Sequence, residues 1–219
     1  MGAAPTLARL LAAKGPTRRT LARSLVSSVN AWEQLHAGLR DSMLRAPERA
    51  ERAAHDLERA ADDRGDEALA ARLRLVRGAS LQRAGSPDEA SRLLLDAEPR
   101  LSAVGDHARA AQSLLLAVDA LAHAGELDGA RACAERAKHR MKGLRAPQLR
   151  AALRANRANV LRLAGRLDEA ARESDAAARA FDRIGQGPSA AGCRLNAGVA
   201  LLYAGRARQA RRRFEQAQD

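Results

Sequence analysis

Apolar residues recur along the first part of the chain at steps of three and four. Leu21, Leu25, Val29, Trp32, Leu35, Leu39 and Met43 form one such series, and a stripe with this spacing marks one buried face of an α-helix. It predicts a long amphipathic helix from Thr17 to about Leu44. Ahead of it, Leu7, Leu10 and Leu11 share one side of a short helix within residues 1–15, closed by Gly15-Pro16.

From there the pattern repeats. Ala164-Gly165-Arg166-Leu167-Asp168-Glu169-Ala170 has near-copies beginning at Ala84, Ala124 and Ala204, so Gly85, Gly125, Gly165 and Gly205 are spaced by forty residues. A period in this range signals an array of identical supersecondary units. Each copy reads as a helix stop followed by a helix start: Gly suits the left-handed position beyond a helix end. In the copy at 84–90, Ser86 is a natural N-cap, Pro87 fits the first helical position and Glu89 can complete a capping box. Small residues flank every turn. Ala90, Ala130, Ala170 and Ala210 follow it, Gly78, Ala158 and Gly198 precede it (Val118 in the third unit), and Ala97, Ala137, Ala177 and Ala217 lie further on. Helices with small residues at three fixed offsets can cross with their backbones close together.

The register predicts an N-terminal segment over 1–23 and five helical hairpins over 24–64, 65–104, 105–145, 146–185 and 186–219, the last incomplete. The later half of the long helix opens unit one, where Gly38, Pro47 and Ala50 match the pattern but Arg45 takes the turn glycine's place. First helices are expected near Asp66, Asp106, Pro147 and Ser189, with Gly65, Gly105 and Gly185 ending the helices before them and Arg145 in the fourth such slot. Pro99 should end or kink the second helix of unit two, because its ring clashes with the preceding turn. Phe214 and Ala217 face inward with no later helix written to cover them. A polar cap is normally needed there, so the sequence is expected to be a fragment or to meet another domain or subunit.

These offsets resemble the tetratricopeptide repeat, most closely over Asn196–Gly205 with Ala210, Phe214 and Ala217. The resemblance covers about residues 24–219 and implies an all-α fold, a right-handed α-solenoid of antiparallel helix hairpins. The period departs from the usual 34 residues, and the aromatics common in that family are mostly absent. HEAT repeats share the longer period but not this turn chemistry. The family's groove positions fall thirteen, ten, six, three and two residues before each turn glycine. The polar residues there are Arg72, Gln82, Arg83, Gln112, Asp119, His123, Asn159, Arg162 and Tyr203, with Asn156 and Asn196 close by. Asn159 and Asn196 resemble the asparagine pair with which some such grooves hold a peptide backbone, since an amide both donates and accepts; bracing neighbouring helices is the other reading. Ala155 stands where a basic carboxylate clamp would be expected.

Composition adds charge and removes most chemistry. The formal net charge is +12, carried almost wholly by arginine, since Lys14, Lys138 and Lys142 are the only lysines. No acid precedes Glu33, and Arg206, Arg208, Arg211, Arg212 and Arg213 crowd the C-terminal end. Such an excess can attract nucleic acid, although few aromatics are available for base stacking; a solvated helix surface is the other reading. The basic start resembles a transit peptide and matches a loose myristoylation pattern at Gly2, without the apolar run of a secretory signal. Cys133 and Cys193 lack metal-ligand or redox spacing and read as buried fillers in a reducing, cytoplasmic setting. The five histidines show no metal motif and no glycine-rich phosphate loop occurs, so the chain is expected to be no enzyme and to need no cofactor. The resemblance extends to sensor regions of bacterial signalling proteins, often fused to a CHAT protease or a transcription-activator domain. The expected function is therefore a protein–protein interaction scaffold or sensor module binding a peptide, a partner domain or an effector domain of its own chain on its concave face. Nucleic-acid binding through the basic excess is the alternative. No eighteen-residue apolar run exists to span a membrane.

Overall fold

The structure, a computed structural model, describes residues 6–27 and 31–218. Among these residues every regular element is a helix. Two short helices, α1 (Leu7–Ala12) and α2 (Gly15–Val26), lead into sequential pairs: α3 (Ala31–Arg45) and α4 (Pro47–Asp63), α5 (Glu67–Arg83) and α6 (Pro87–Ala103), α7 (His107–His123) and α8 (Leu127–Arg140), α9 (Pro147–Leu163) and α10 (Leu167–Asp182), α11 (Gly187–Tyr203) and α12 (Ala207–Glu215). The fold is an all-α helical repeat with the forty-residue period of the glycines. It divides into two compact units, Met1–Ser113 and Leu114–Asp219, the boundary falling within α7.

One turn geometry recurs at seven of the glycines. At Gly85 the φ angle is +83°; its amide donates to the Gln82 carbonyl at 3.2 Å and the Ser86 amide donates to the Leu81 carbonyl at 3.0 Å. These two bonds satisfy carbonyls that the helix end leaves open. The pair of bonds recurs at glycines 65, 105, 125, 165, 185 and 205. Small residues then let the helices meet. A Cβ on Gly78 would lie 2.6 Å from the Leu94 Cγ, and one on Gly198 would run into the Phe214 ring. Ala90, Ala130, Ala170 and Ala210 are all buried.

Five local expectations need correction. The stripe from Thr17 to Leu44 is two helices, α2 and α3, and Val29 lies outside the described residues. Both helices pack on α4, so the two halves of the stripe bury against one neighbour, and the Ser27 hydroxyl donates to the Arg23 carbonyl at the end of α2 at 2.8 Å. The slot given to Arg145 is filled two residues earlier by Gly143, with φ +80°. Helix α11 begins at Gly187 instead of Ser189. Ser86 caps α6 by position, but its side chain makes no cap hydrogen bond. Pro99 does not end α6 early: the helix continues to Ala103, with Ala97, Glu98 and Leu101 buried around the proline.

In the first unit one core runs from Leu10 through Trp32, Leu35, Leu39 and Leu57 to Leu73. Buried Glu58 accepts from Arg74 at 2.5 Å and from Arg77 at 2.9 Å, and Arg77 also reaches Glu51 at 3.1 Å. In the second unit Phe181 packs with Ala151, Ala177 and Cys193, while Ala170, Leu201 and Phe214 form a separate cluster. Ala170→Phe is expected to overpack this crossing and to cost about 1–3 kcal/mol. Thermal unfolding of the variant is the check, and a melting curve matching the parent would contradict the close crossing.

Candidate functional site

The groove positions of the second unit lie on α7, α9 and α11, where the turn glycines fix the register between equivalent residues. Asparagine amides tie two of these helices together. Asn156 Nδ2 donates to the Leu115 carbonyl at 2.5 Å and Asn159 Nδ2 donates to Asp119 Oδ1 at 2.9 Å. Arg162 in turn donates to Asn159 Oδ1 at 2.6 Å, and His123 Nδ1 lies 2.8 Å from the Asp119 carbonyl oxygen. Asp119, His123, Asn159 and Arg162 thus form one polar cluster, with both ends of the Asn159 amide engaged.

The other half of this face is apolar. Leu163 is 39% exposed, Leu195 46%, Leu202 52% and Tyr203 68%. Leu163 and Tyr203 occupy equivalent positions two residues before their glycines, while Leu202 and Leu195 lie three and ten before Gly205. Four of the five large apolar side chains exposed among the described residues therefore sit at groove offsets within one unit; the fifth is Leu44. Asn196 is exposed beside them. The asparagine pair expected to clamp a peptide is thus divided: Asn159 is spent on bracing and Asn196 is open. A search for polar chemistry overlooked Leu163, Leu195 and Leu202, although the same offsets point to them.

In the first unit the candidates are not gathered in this way. Arg72 donates to Asp106 at 3.0 Å, and its guanidinium lies 5.7 Å from the Trp32 ring centre. Arg109 also binds Asp106, at 2.8 Å, and lies 5.0 Å from the same ring. Arg72 is therefore a brace, its charge held between a carboxylate and an aromatic face. Gln82 is half-buried, and Arg83 and Gln112 are exposed. The sequence reading missed the Trp32 cluster, because Arg109 lies outside the groove offsets.

Charge is unevenly divided. Residues 114–219 hold twenty Arg and Lys against eleven Asp and Glu, whereas residues 1–113 hold eighteen against fifteen. Within the second unit several arginines are neutralised locally: Arg213 grips Asp175 at 2.9 Å, Arg206 reaches Asp168 at 2.8 Å and Arg211 reaches Glu215 at 2.8 Å. Arg208 and Arg212 are exposed. Both cysteines are buried and free, and burial pushes the Cys193 thiol up to about 11, away from nucleophilic chemistry. Among the described residues no group of His, Cys, Asp and Glu could hold a metal, and no helix is long and apolar enough to cross a membrane. No protein-family model and no curated protein matches the sequence.

Bracing and display separate by mutation. Asn159→Ala is expected to cost about 1 kcal/mol, because it removes two hydrogen bonds, whereas Asn196→Ala should stay within about 0.5 kcal/mol of the parent. Chemical denaturation of both variants checks this, and equal losses would contradict the assignment. The Trp32 cluster supplies a pH response. Burial, then the charges of Arg109 and Arg40, hold His36 below its ordinary value. The unfolded chain takes up that proton first, so stability is full above about pH 6.5 and declines as pH falls through the folded value. Burial would raise Asp106, but hydrogen bonds from Arg109 and Arg72 outweigh it and hold the carboxyl low. Its contribution is lost only below about pH 4. Denaturation followed by Trp32 fluorescence should show the first decline, and His36→Gln should flatten it; an unchanged pH profile in that variant would count against the His36 assignment.

Proposed function

We propose that this chain is a protein–protein interaction module that binds a peptide or a partner domain through the α9–α11 face of its second unit. One observation carries the reading: Leu163, Leu195, Leu202 and Tyr203 are exposed at the offsets where helical repeats hold their ligands. Exposed apolar side chains scattered singly need no explanation, but a set gathered on one face marks an interaction site. The polar cluster beside them adds direction. Arg162, oriented by Asn159, offers a cation and donors to an acidic or carbonyl group, while the leucines and Tyr203 accept apolar anchors. Tyr203 combines a rigid apolar body with a hydroxyl, the combination enriched at binding hot spots.

The reading places the chain with tetratricopeptide-type repeats and makes it a scaffold or sensor that acts by binding, without catalysis of its own. Within that reading it is a cytoplasmic regulatory module of a bacterial signalling protein, its partner being a separate protein or an effector domain of CHAT-protease or transcription-regulator type. The excess of base in residues 114–219 favours an acidic partner, and it also makes nucleic acid the second reading.

Selection of displayed random peptides on the purified chain tests this, followed by titration of the selected peptides against Leu202→Glu and Tyr203→Ala. Each substitution is expected to weaken binding at least tenfold, about 1.4 kcal/mol or more, with stability unchanged within about 0.5 kcal/mol because both side chains are exposed. Peptides that bind parent and variants alike would overturn the site. A salt-sensitive gel shift with single-stranded nucleic acid, undiminished in both variants, would favour the second reading.

A further inference from the structure

A cavity of about 470 Å3 in the first unit is bounded by Leu11 and Ala13 at the end of α1, Lys14 and Arg18 at the start of α2, and Arg49 and Arg52 on the first turns of α4. Four cationic side chains from two helices line it, and no acidic residue does. Like charges gathered in one place repel, and a cavity built this way is complementary to an anion.

The nearby carboxylates do not remove the imbalance. Asp56, buried on α4, holds Arg18 through its Nε, which fixes that guanidinium and leaves its Nη groups for another acceptor. Glu48 lies 3.8 Å from Arg52, both side chains being largely exposed, so it screens that charge weakly. Lys14 and Arg49 form no ion pair among the described residues. The cavity thus combines one pre-oriented guanidinium, further donors on flexible stems and an apolar wall of Leu11 and Ala13.

We infer that this cavity binds a small organic phosphate, its phosphoryl oxygens held by Arg18, Arg49 and Lys14 and its apolar part against Leu11. A phosphate presents several acceptor oxygens and up to two negative charges, which suits a site with several guanidinium and ammonium donors. The volume falls within the range typical of small-molecule sites. The site lies in residues 1–113, so its test stands apart from that of the α9–α11 face.

Phenyl phosphate serves as the probe, with benzyl alcohol as its neutral counterpart, titrated into the full chain at constant ionic strength by calorimetry and by amide chemical-shift mapping. Phenyl phosphate should bind saturably and shift amides at Leu11–Arg18 and around Arg49–Arg52, with benzyl alcohol at least tenfold weaker. Lys14→Gln and Arg49→Gln should each weaken binding about tenfold and leave the melting curve unchanged, since both side chains are exposed. The proposal is overturned by the absence of saturable shifts, by equal binding of the two probes, or by unchanged affinity in both glutamine variants. Association with phosphatidylglycerol vesicles without any response to phenyl phosphate overturns it too, because the recognised group would then be a lipid surface.

Discussion

A chain that must reverse direction within three residues needs a backbone conformation that most residues resist. The left-handed region costs an ordinary L-residue about 1–2 kcal/mol, and glycine occupies it freely. At Gly85 the two amide bonds closing the turn form only with φ in that region. The reversal sets where the next helix begins, and hence which residues of the hairpin face one another. Everything downstream, from the buried alanines at the crossings to the exposed apolar residues before the glycines, inherits its register from this turn. The connection between α8 and α9 departs from the strict period: Gly143 takes the left-handed position two residues before the place where the period would put it.

Close crossings have an energetic consequence. Buried alanines at the contacts leave little apolar area per residue, so the helices gain by approaching closely and adding many weak dispersion contacts. The first unit supplements this with buried and half-buried ion pairs. Glu58 serves both Arg74 and Arg77, and Asp106 serves both Arg72 and Arg109. Each carboxylate neutralises two arginines that an apolar crossing could not accommodate. A first unit whose charges are largely absorbed in this way, and a second whose excess of base remains, follow from where the acids are placed.

The turns, the small residues at the crossings and the all-helical class were legible in the sequence because each is dictated within a few residues of chain. What was not legible depends on distant neighbours. The stripe from Leu21 to Met43 carries no local sign of the end of α2 except Ser27, whose hydroxyl bonds back to the helix; the division follows from both segments packing on α4. Pro99 breaks a local rule, yet buried neighbours on both sides hold α6 together at the loss of one backbone donor. Offsets put Asn159 and Asp119 among the groove positions without showing that one bonds to the other, since a bracing amide and an open amide look alike until their partners are seen. Leu163, Leu195 and Leu202 carried the same positional signal and were not singled out, because exposure is a property of the folded unit.

The division of labour along α7, α9 and α11 follows from repetition. Equivalent positions six residues before the glycines hold Asp119, Asn159 and Val199, and those two before hold His123, Leu163 and Tyr203. The backbone at each position is held nearly constant by the turn, so substitution there changes chemistry without changing geometry. Pairing Asp119 with Asn159 closes the contact between α7 and α9 by hydrogen bonding and fixes Arg162. Replacing that residue with Val199 on α11 removes any such bond to a neighbour, and the positions around it become leucine and tyrosine. A polar brace and an exposed apolar surface thus arise from one periodic scaffold, and the step between them falls at Arg162 and Leu163, adjacent residues of one helical turn.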